Sequence, residues 1–449
     1  MNRVDAGTIA ACALVAAARW LEPIVDGTAT STSTPTSAST PTSTPTPTPT
    51  ATASCSERSR RIPVASLPDP PIPSIEQASS LAPFFARLAA LSRGRAKDHV
   101  RIAVYGDSNG TRDYLTGEMR RVLQRAYGDG GHGFVTMGRP WRWHSVMDIR
   151  HDTTTETWGS FAVTSHPAPD RFHGHGLIAA YSMQTGATTW LATAGDDAPI
   201  GRTASRFDVH YLKQAKGGPF EIRIDGAAHA VVDTAGSPAS AGFAEVRVPD
   251  APHKIEIVAQ SWRQVRILGV TVERDDPSVI VDGIGVGMLN CEWLLRDDPA
   301  LYAATLARRK YDLVVFHLGT LSRPQDFAPC MEKLFQRHRA ALPDAALLVM
   351  SPPDFLEDRF HPPRPAPWVA EVRDAQRRFA REQNVAFWDF FEAMGGSGSM
   401  FRFEHEAMTI KDGVHFSEKG GAYMGDRVVA AIAGEYEAWM RDNPHAGCE

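Results

Sequence analysis

Val100-Arg-Ile-Ala-Val-Tyr-Gly-Asp-Ser-Asn-Gly110 is the stretch whose reading decides the fold. Val100, Ile102 and Val104, with Ala103 and Tyr105 between them, form a short β-branched apolar run, the pattern of a strand buried on both faces of a parallel sheet. Gly106 breaks the run. Leu115, Met119, Val122, Leu123 and Ala126 then recur at helical spacing, and Gly128 stands where a C-terminal cap belongs. Ser108 is thereby placed on a tight turn between a strand's carboxyl end and a helix's amino end. Open α/β sheets bind their ligands at that edge, and a helix dipole there favours a developing anion. The same residues also read as an ordinary Gly-Asp-Ser turn with Ser108 as a helix cap.

Toward the N-terminus, Ser80 is expected to cap a helix whose apolar face is Leu81, Phe84, Phe85, Leu88 and Leu91. Residues 1–27 carry Arg3, Asp5 and an apolar run from Ala6 to Ala18 too short to span a bilayer, which reads as a signal peptide or N-terminal anchor. Ile9-Ala-Ala-Cys12 resembles a lipoprotein cleavage box, making a lipid on Cys12 one option. Residues 28–70 form a linker, almost wholly Thr, Ser, Pro and Ala up to residue 53, a composition that buries little apolar surface and is expected to stay extended. At ~3.1 Å per residue the low-complexity part reaches on the order of 80 Å.

Toward the C-terminus the texture changes at residue 150. Up to residue 278, alternating runs such as Phe220-Glu-Ile-Arg-Ile-Asp-Gly and Lys254-Ile-Glu-Ile-Val are separated by Gly, Pro, Asp and Ser turns, the signature of an antiparallel β-sandwich. The α/β pattern resumes at Val279. Strands are expected at 313–318, 346–350 and 385–390, and helices at 299–309, 327–341, 367–383 and 419–440. The reading is therefore a three-layer, flavodoxin-like α/β domain in two segments, 71–149 and 279–445, with a carbohydrate-binding-like sandwich inserted at 150–278.

A chain of 449 residues with 43% hydrophobic and 22% charged residues can bury a large core. Its formal charge of -5 gives no reason to expect a nucleic-acid partner. The five cysteines, at 12, 55, 291, 330 and 448, form no C-x-x-C pair and are read as neither a zinc site nor a disulfide framework. No cofactor or metal is expected. His166, His173 and His175 near Asp170 lack a familiar ligand spacing and are read as surface histidines. His317, ending a strand, reads as a hydrogen-bonded core histidine. Gly395-Gly-Ser-Gly-Ser399 lacks the last glycine of a G-x-S-x-G elbow. Trp141, Trp143 and Trp158 suit either a sugar-stacking platform or domain packing.

Asp412-Gly-Val-His415 precedes the final helix, with Ser417 as its expected N-cap. A carboxylate and an imidazole three residues apart on one loop can both face the sheet edge. His415 would then take a proton from Ser108 while Asp412 orients the ring. With Gly106-Asp107-Ser108 early and D-x-x-H late, the chain resembles the SGNH/GDSL hydrolase family over residues 71–149 and 279–439. More narrowly it resembles cell-envelope polysaccharide (peptidoglycan-type) O-acetylesterases with an inserted β-sandwich. Residues 128–134 (Gly-Asp-Gly-Gly-His-Gly-Phe), 139–143 (Arg-Pro-Trp-Arg-Trp) and 387–390 (Phe-Trp-Asp-Phe) add to the likeness. The resemblance implies hydrolysis of a small acyl ester, often acetyl on a glycan, with Ser108, His415 and Asp412 in the matching roles.

Two positions depart from that pattern. Family members follow the third-block glycine with x-Asn, whose amide joins the oxyanion hole, whereas Gly319-Thr320 is followed by Leu321. The second-block glycine is displaced within Gly285-Val-Gly-Met-Leu-Asn290. Ser108, Gly287, Gly319, Asn109 and Asn290 are the candidates for oxyanion or substrate contacts. The expected function is an exported serine esterase, in the cell envelope or outside the cell, acting on O-acyl groups of a glycan. A membrane tether through the N-terminus is one option. The alternatives are a catalytically weak or inactive glycan-binding relative, signalled by Leu321 and Met288, and an O-acyltransferase using the same Ser-His pair.

Overall fold

A computed structural model describes residues 60–63, 67, 70–152, 156–357 and 360–448. The leader at 1–27 and nearly all of the linker at 28–70 lie outside the described residues. Five parallel strands form the central sheet: β1 (Val100–Gly106), β2 (Val279–Gly285), β3 (Leu313–His317), β4 (Ala346–Met350) and β5 (Ala386–Trp388). Their order is β2-β1-β3-β4-β5. This is the flavodoxin-like order, and its switch point falls between β1 and β3, where Ser108 emerges.

Alternate side chains of every strand enter opposite cores, so both faces of the sheet are covered. Val100, Ile102 and Val104 of β1 and Leu313 and Val315 of β3 join one cluster with helices α1 (Ala82–Ser92), α2 (Tyr114–Tyr127) and, as the last helix, Glu418–Asp442. Ala103, Tyr105, Val314 and Phe316 join the other, against α3 (Pro299–Arg309), α4 (Pro324–Ala341) and α5 (Trp368–Glu382). The last helix is α6.

Ser80 does not cap α1. A 3₁₀ turn, Ala78–Leu81, runs directly into the helix, and the Ser80 hydroxyl donates to Gln77 O at 2.8 Å. β5 stops at Trp388 because Asp389 caps a new short helix, Phe390–Met394, accepting from Glu392 N. Ser417 does cap α6, accepting from Gly420 N.

Between α2 and β2 lie two antiparallel sheets. One has the order Ser240–Ala251, Ala204–Lys213, Val265–Glu273, Ile178–Ser182, Gly159–Ala162, with Gly131–Val135 also pairing with Val265–Glu273. The other runs Ile149–His151, Thr188–Thr193, Lys254–Ala259, Phe220–Ile224, Ala227–Val232. Phe207, Val209 and Val270 of the first meet Leu191, Ile222 and Ile257 of the second in one core, and Trp158 is buried with them. The strand Gly131–Val135 starts before residue 150, so the antiparallel system draws on chain that the sequence assigns to the α/β segment.

The cysteine reading is corrected. Cys291 and Cys330 form a disulfide, Cα–Cα 6.0 Å, tying the short helix Cys291–Arg296 to α4, and Cys448 is disulfide-bonded as well. A separation of 39 residues carries no local signal. Only the packing of that helix on α4 reveals the pair.

Candidate active site

β1 ends in Gly106, and Ser108–Gly110 form a single 3₁₀ turn whose cap is Asp107, accepting from Asn109 N at 3.1 Å. Ser108 is thus in the turn and is not its cap. The turn is pressed against β2: a Cβ on Gly285 would lie 2.1 Å from the Gly110 carbonyl carbon, so no side chain fits there. That close approach aligns the ends of β1 and β2 beside the serine.

Three of the expected residues meet. His415 Nε2 lies 2.8 Å from Ser108 Oγ, and His415 Nδ1 lies 2.7 Å from Asp412 Oδ2. Asp412 Oδ1 accepts from the backbone N–H groups of Val414 and His415 at 3.0 and 2.8 Å. Burial raises the Asp412 carboxyl, but the His415 ring and these backbone donors outweigh it and hold the group below its ordinary range. Asp412 is therefore an acceptor at neutral pH, which fixes His415 with Nδ1 protonated and Nε2 facing Ser108.

Asn109 does a different job from the one considered for it. Its side-chain amide donates to Val414 O at 3.3 Å and its Oδ1 accepts from Phe416 N at 2.9 Å. Both ends of the side chain engage the His415 loop, so Asn109 ties the nucleophile turn to the histidine. Asn290 Oδ1 caps Cys291–Arg296, accepting from Trp293 N at 3.1 Å. The loop is braced from the other side by Leu356, whose N–H donates to Gly413 O at 2.8 Å. Asp354, just before it, is pushed up to about 6 by burial, against hydrogen bonds that include one from Met400 N.

Gly287 sits next to the serine turn because Val286 N donates to Gly106 O at 3.0 Å. Among the described residues no hydrogen bond engages the N–H of Ser108 or of Gly287. The half-buried ring of Trp141 closes the other side of Gly287, with a ring carbon 3.2 Å from where a Cβ would stand. The left-handed backbone falls on Met288, φ 64°, where glycine would sit without steric cost.

On the third loop, Gly319 has φ 132° and leaves no room for a side chain beside Gln376, which donates to Leu318 O. Leu321 is half-buried. The neighbouring Thr320 has a buried hydroxyl with no hydrogen-bond partner among the described residues, a feature the sequence reading missed.

His317 is buried beside Phe390, ring centroids 4.3 Å apart. Burial lowers it to about 4 despite the opposing charge of Asp107, so it is neutral. Its Nε2 has no partner among the described residues, unlike the satisfied core histidine expected.

His173 and His175 are not surface residues. His173 is buried on Asp297, Nδ1 to Oδ1 2.8 Å, and His175 is sealed among Phe134, His210 and Tyr311. Only His166 of that set is exposed. A loop rich in Pro and Gly gave no sign that two of its histidines are buried.

Residues 262–423 match the GDSL-like lipase/acylhydrolase family. The match includes Asp412 and His415 and begins after Ser108. No curated protein matches the sequence. A solved peptidoglycan O-acetylesterase is similar over 81% of this chain and 99% of its own, at 22% identity and TM-score 0.66. A family two carbohydrate esterase from Clostridium thermocellum covers 62% of this chain and 98% of its own at 11% identity, with a TM-score of 0.28 that is too low to argue from. The chain has the SGNH/GDSL hydrolase fold and resembles the O-acetylesterases within it, which supports acyl-ester hydrolysis in general.

Proposed function

We propose that this SGNH/GDSL-type chain is an exported serine esterase that removes O-acyl, chiefly O-acetyl, groups from a cell-envelope or extracellular glycan. One observation carries the reading: Ser108, His415 and Asp412 form a continuous hydrogen-bonded chain of 2.8 and 2.7 Å at the switch point of the sheet.

Ser108 Oγ attacks the acyl carbon as its proton passes to His415 Nε2, and Asp412 stabilises the imidazolium that forms. The N–H groups of Ser108 and Gly287 receive the negative oxygen. Collapse breaks the bond to the sugar oxygen, which leaves with the proton from His415. Water then repeats the sequence on the acyl-serine, releasing the acid and restoring Ser108.

The Cys291–Cys330 disulfide supports the export part, since such bonds persist in oxidising compartments. The leader-like residues 1–27 and the Thr/Ser/Pro linker supply a tether of matching design. Turnover of an activated acetyl ester by wild type and Ser108→Ala tests the reading. The expected result is a loss of at least ~10³-fold. Equal rates would overturn it.

A further inference from the structure

Four large hydrophobic residues are strongly exposed among the described residues, and three of them lie at one end of the sandwich: Trp262 at 71%, Val231 at 68% and Met183 at 57%. Pairing puts them together. Val265 faces Ser182, which places Met183 beside the loop that carries Trp262, and Val231 faces Glu221, whose carboxylate accepts from Gln260 Nε2 at 2.8 Å. Scattered single apolar residues are ordinary on a surface, whereas three at one end of a module, one of them an indole, point to a contact site.

This end is rigid. Gln260 N donates to Pro219 O, Gly218 N to Gln264 O, and the Thr234 hydroxyl to Gly218 O, all within 2.9 Å. Three loops, Trp262's own among them, are locked together here, so its exposure is built into the fold. The Arg263 guanidinium stands over the ring, 5.9 Å from its centroid, and adds a cationic hydrogen-bond donor beside the indole.

Topology fixes which way this end faces. Gly131–Val135 runs alongside β2 in the same direction, with Phe134 N donating to Asp282 Oδ1 at 2.8 Å and a Cβ on Gly130 falling 2.7 Å from Ser278 Cβ. It therefore heads toward the edge where Ser108 sits. Val265–Glu273 pairs with it antiparallel, Val270 opposite Val135. At about 3.3 Å per residue, Val265 and the Trp262 loop stand roughly 15 Å further out on the Ser108 side.

We infer that the Trp262 end of the sandwich is a second glycan-binding site, stacking a pyranose face on the indole of the same polymer whose ester reaches Ser108. An exposed, rigid aromatic ring beside amide and guanidinium groups suits a sugar, which presents an apolar C–H face ringed by hydroxyls. The inference rests on the proposed function for the identity of the polymer. Its test is a binding measurement that needs no turnover.

All proteins carry Ser108→Ala, so bound polymer is not deacylated, and binding to insoluble O-acetylated peptidoglycan sacculi and to acetylated xylan is measured by co-sedimentation. Trp262→Ala is expected to weaken binding to at least one of these by ~10-fold or more, since one aromatic–sugar contact is an anchor of the hot-spot kind. Trp262→Phe should restore most of it, and Phe401→Ala, which removes the fourth exposed hydrophobic residue outside the sandwich, should change nothing. Equal binding by Trp262→Ala and its parent overturns the inference. So does a parent that sediments with neither polymer, or a Phe401→Ala loss as large as that of Trp262→Ala. None of these results bears on whether Ser108 hydrolyses esters, which the activated-ester assay decides separately.

Discussion

At the carboxyl edge of the sheet a histidine sits between Ser108 and Asp412. Toward the opposite end, between sheet and sandwich, another histidine sits beside Tyr311 and Asp282. Both clusters use His, Asp and hydroxyl groups at hydrogen-bond distance. His415 keeps its Nε2 on a serine at the mouth of the strands, with loops on either side. His175 is enclosed by aromatic rings, with its Nε2 3.2 Å from the Tyr311 hydroxyl, and burial holds it neutral, aided by nearby His210 and Arg309. Around it, Arg309 bonds Asp282 at 2.8 Å and Glu273 at 2.6 Å, and Arg101 bonds Glu273 at 3.1 Å. Burial would raise the Glu273 carboxyl, but Arg309 and Arg101 hold it well down. The difference is access. At the edge, loops leave polar groups at the mouth of the strands; at the junction, the same groups satisfy one another and join two modules.

The comparison breaks most visibly if the edge cluster does not act as one unit. Asp412→Asn keeps the size of the side chain but takes away the charge that holds Nδ1 protonated, and a loss of ~10³–10⁴ in kcat with KM little changed is expected. A variant retaining full kcat would mean that Asp412 only shapes the loop.

Arg309→Met attacks the junction. It leaves Glu273 and Asp282 buried with fewer counter-charges, and a loss of ~3–5 kcal/mol of stability is expected from denaturant unfolding. Turnover per folded molecule should stay close to wild type. A large drop in kcat with unchanged stability would show that the junction takes part in catalysis.

The smallest effect concerns Leu321. Asn109 is bonded to the His415 loop and Asn290 Oδ1 caps a helix, while Leu321 has no side-chain donor at the third-loop position. Leu321→Asn is expected to raise kcat by ~10-fold or more, measured per folded molecule, because a well-aimed oxyanion donor is worth up to ~4 kcal/mol. No gain in a folded variant would place the oxyanion elsewhere, with the buried Thr320 hydroxyl the nearest alternative.

What the sequence revealed and what it hid divide along the same line as the two clusters. Val100 to Val104, the helical spacing of Leu115 to Leu123, and the D-x-x-H before a Ser-capped helix are local patterns, and each element and the Ser108–His415 pairing could be read from them. Asn109 reads locally as a free amide beside the nucleophile. Its partners, Val414 and Phe416, are brought to it only by the tertiary fold. The same holds for Cys291 with Cys330, for His173 on Asp297, and for Glu273, whose three arginines come from β1, the strand Ala204–Lys213 and α3. Ser80 shows the converse, a good cap by type that is overridden because the preceding turn continues into the helix.

The central claim is that Ser108 is the nucleophile of an acyl-ester hydrolase, and covalent capture tests it most directly. Mixed rapidly with an activated acetyl ester and quenched in acid within one turnover, the protein should carry a single acetyl group on the peptide containing Ser108. The label should vanish in Ser108→Ala and decay at the rate of product release in wild type. An unlabelled Ser108 during active turnover, or the same label in Ser108→Ala, would contradict the account.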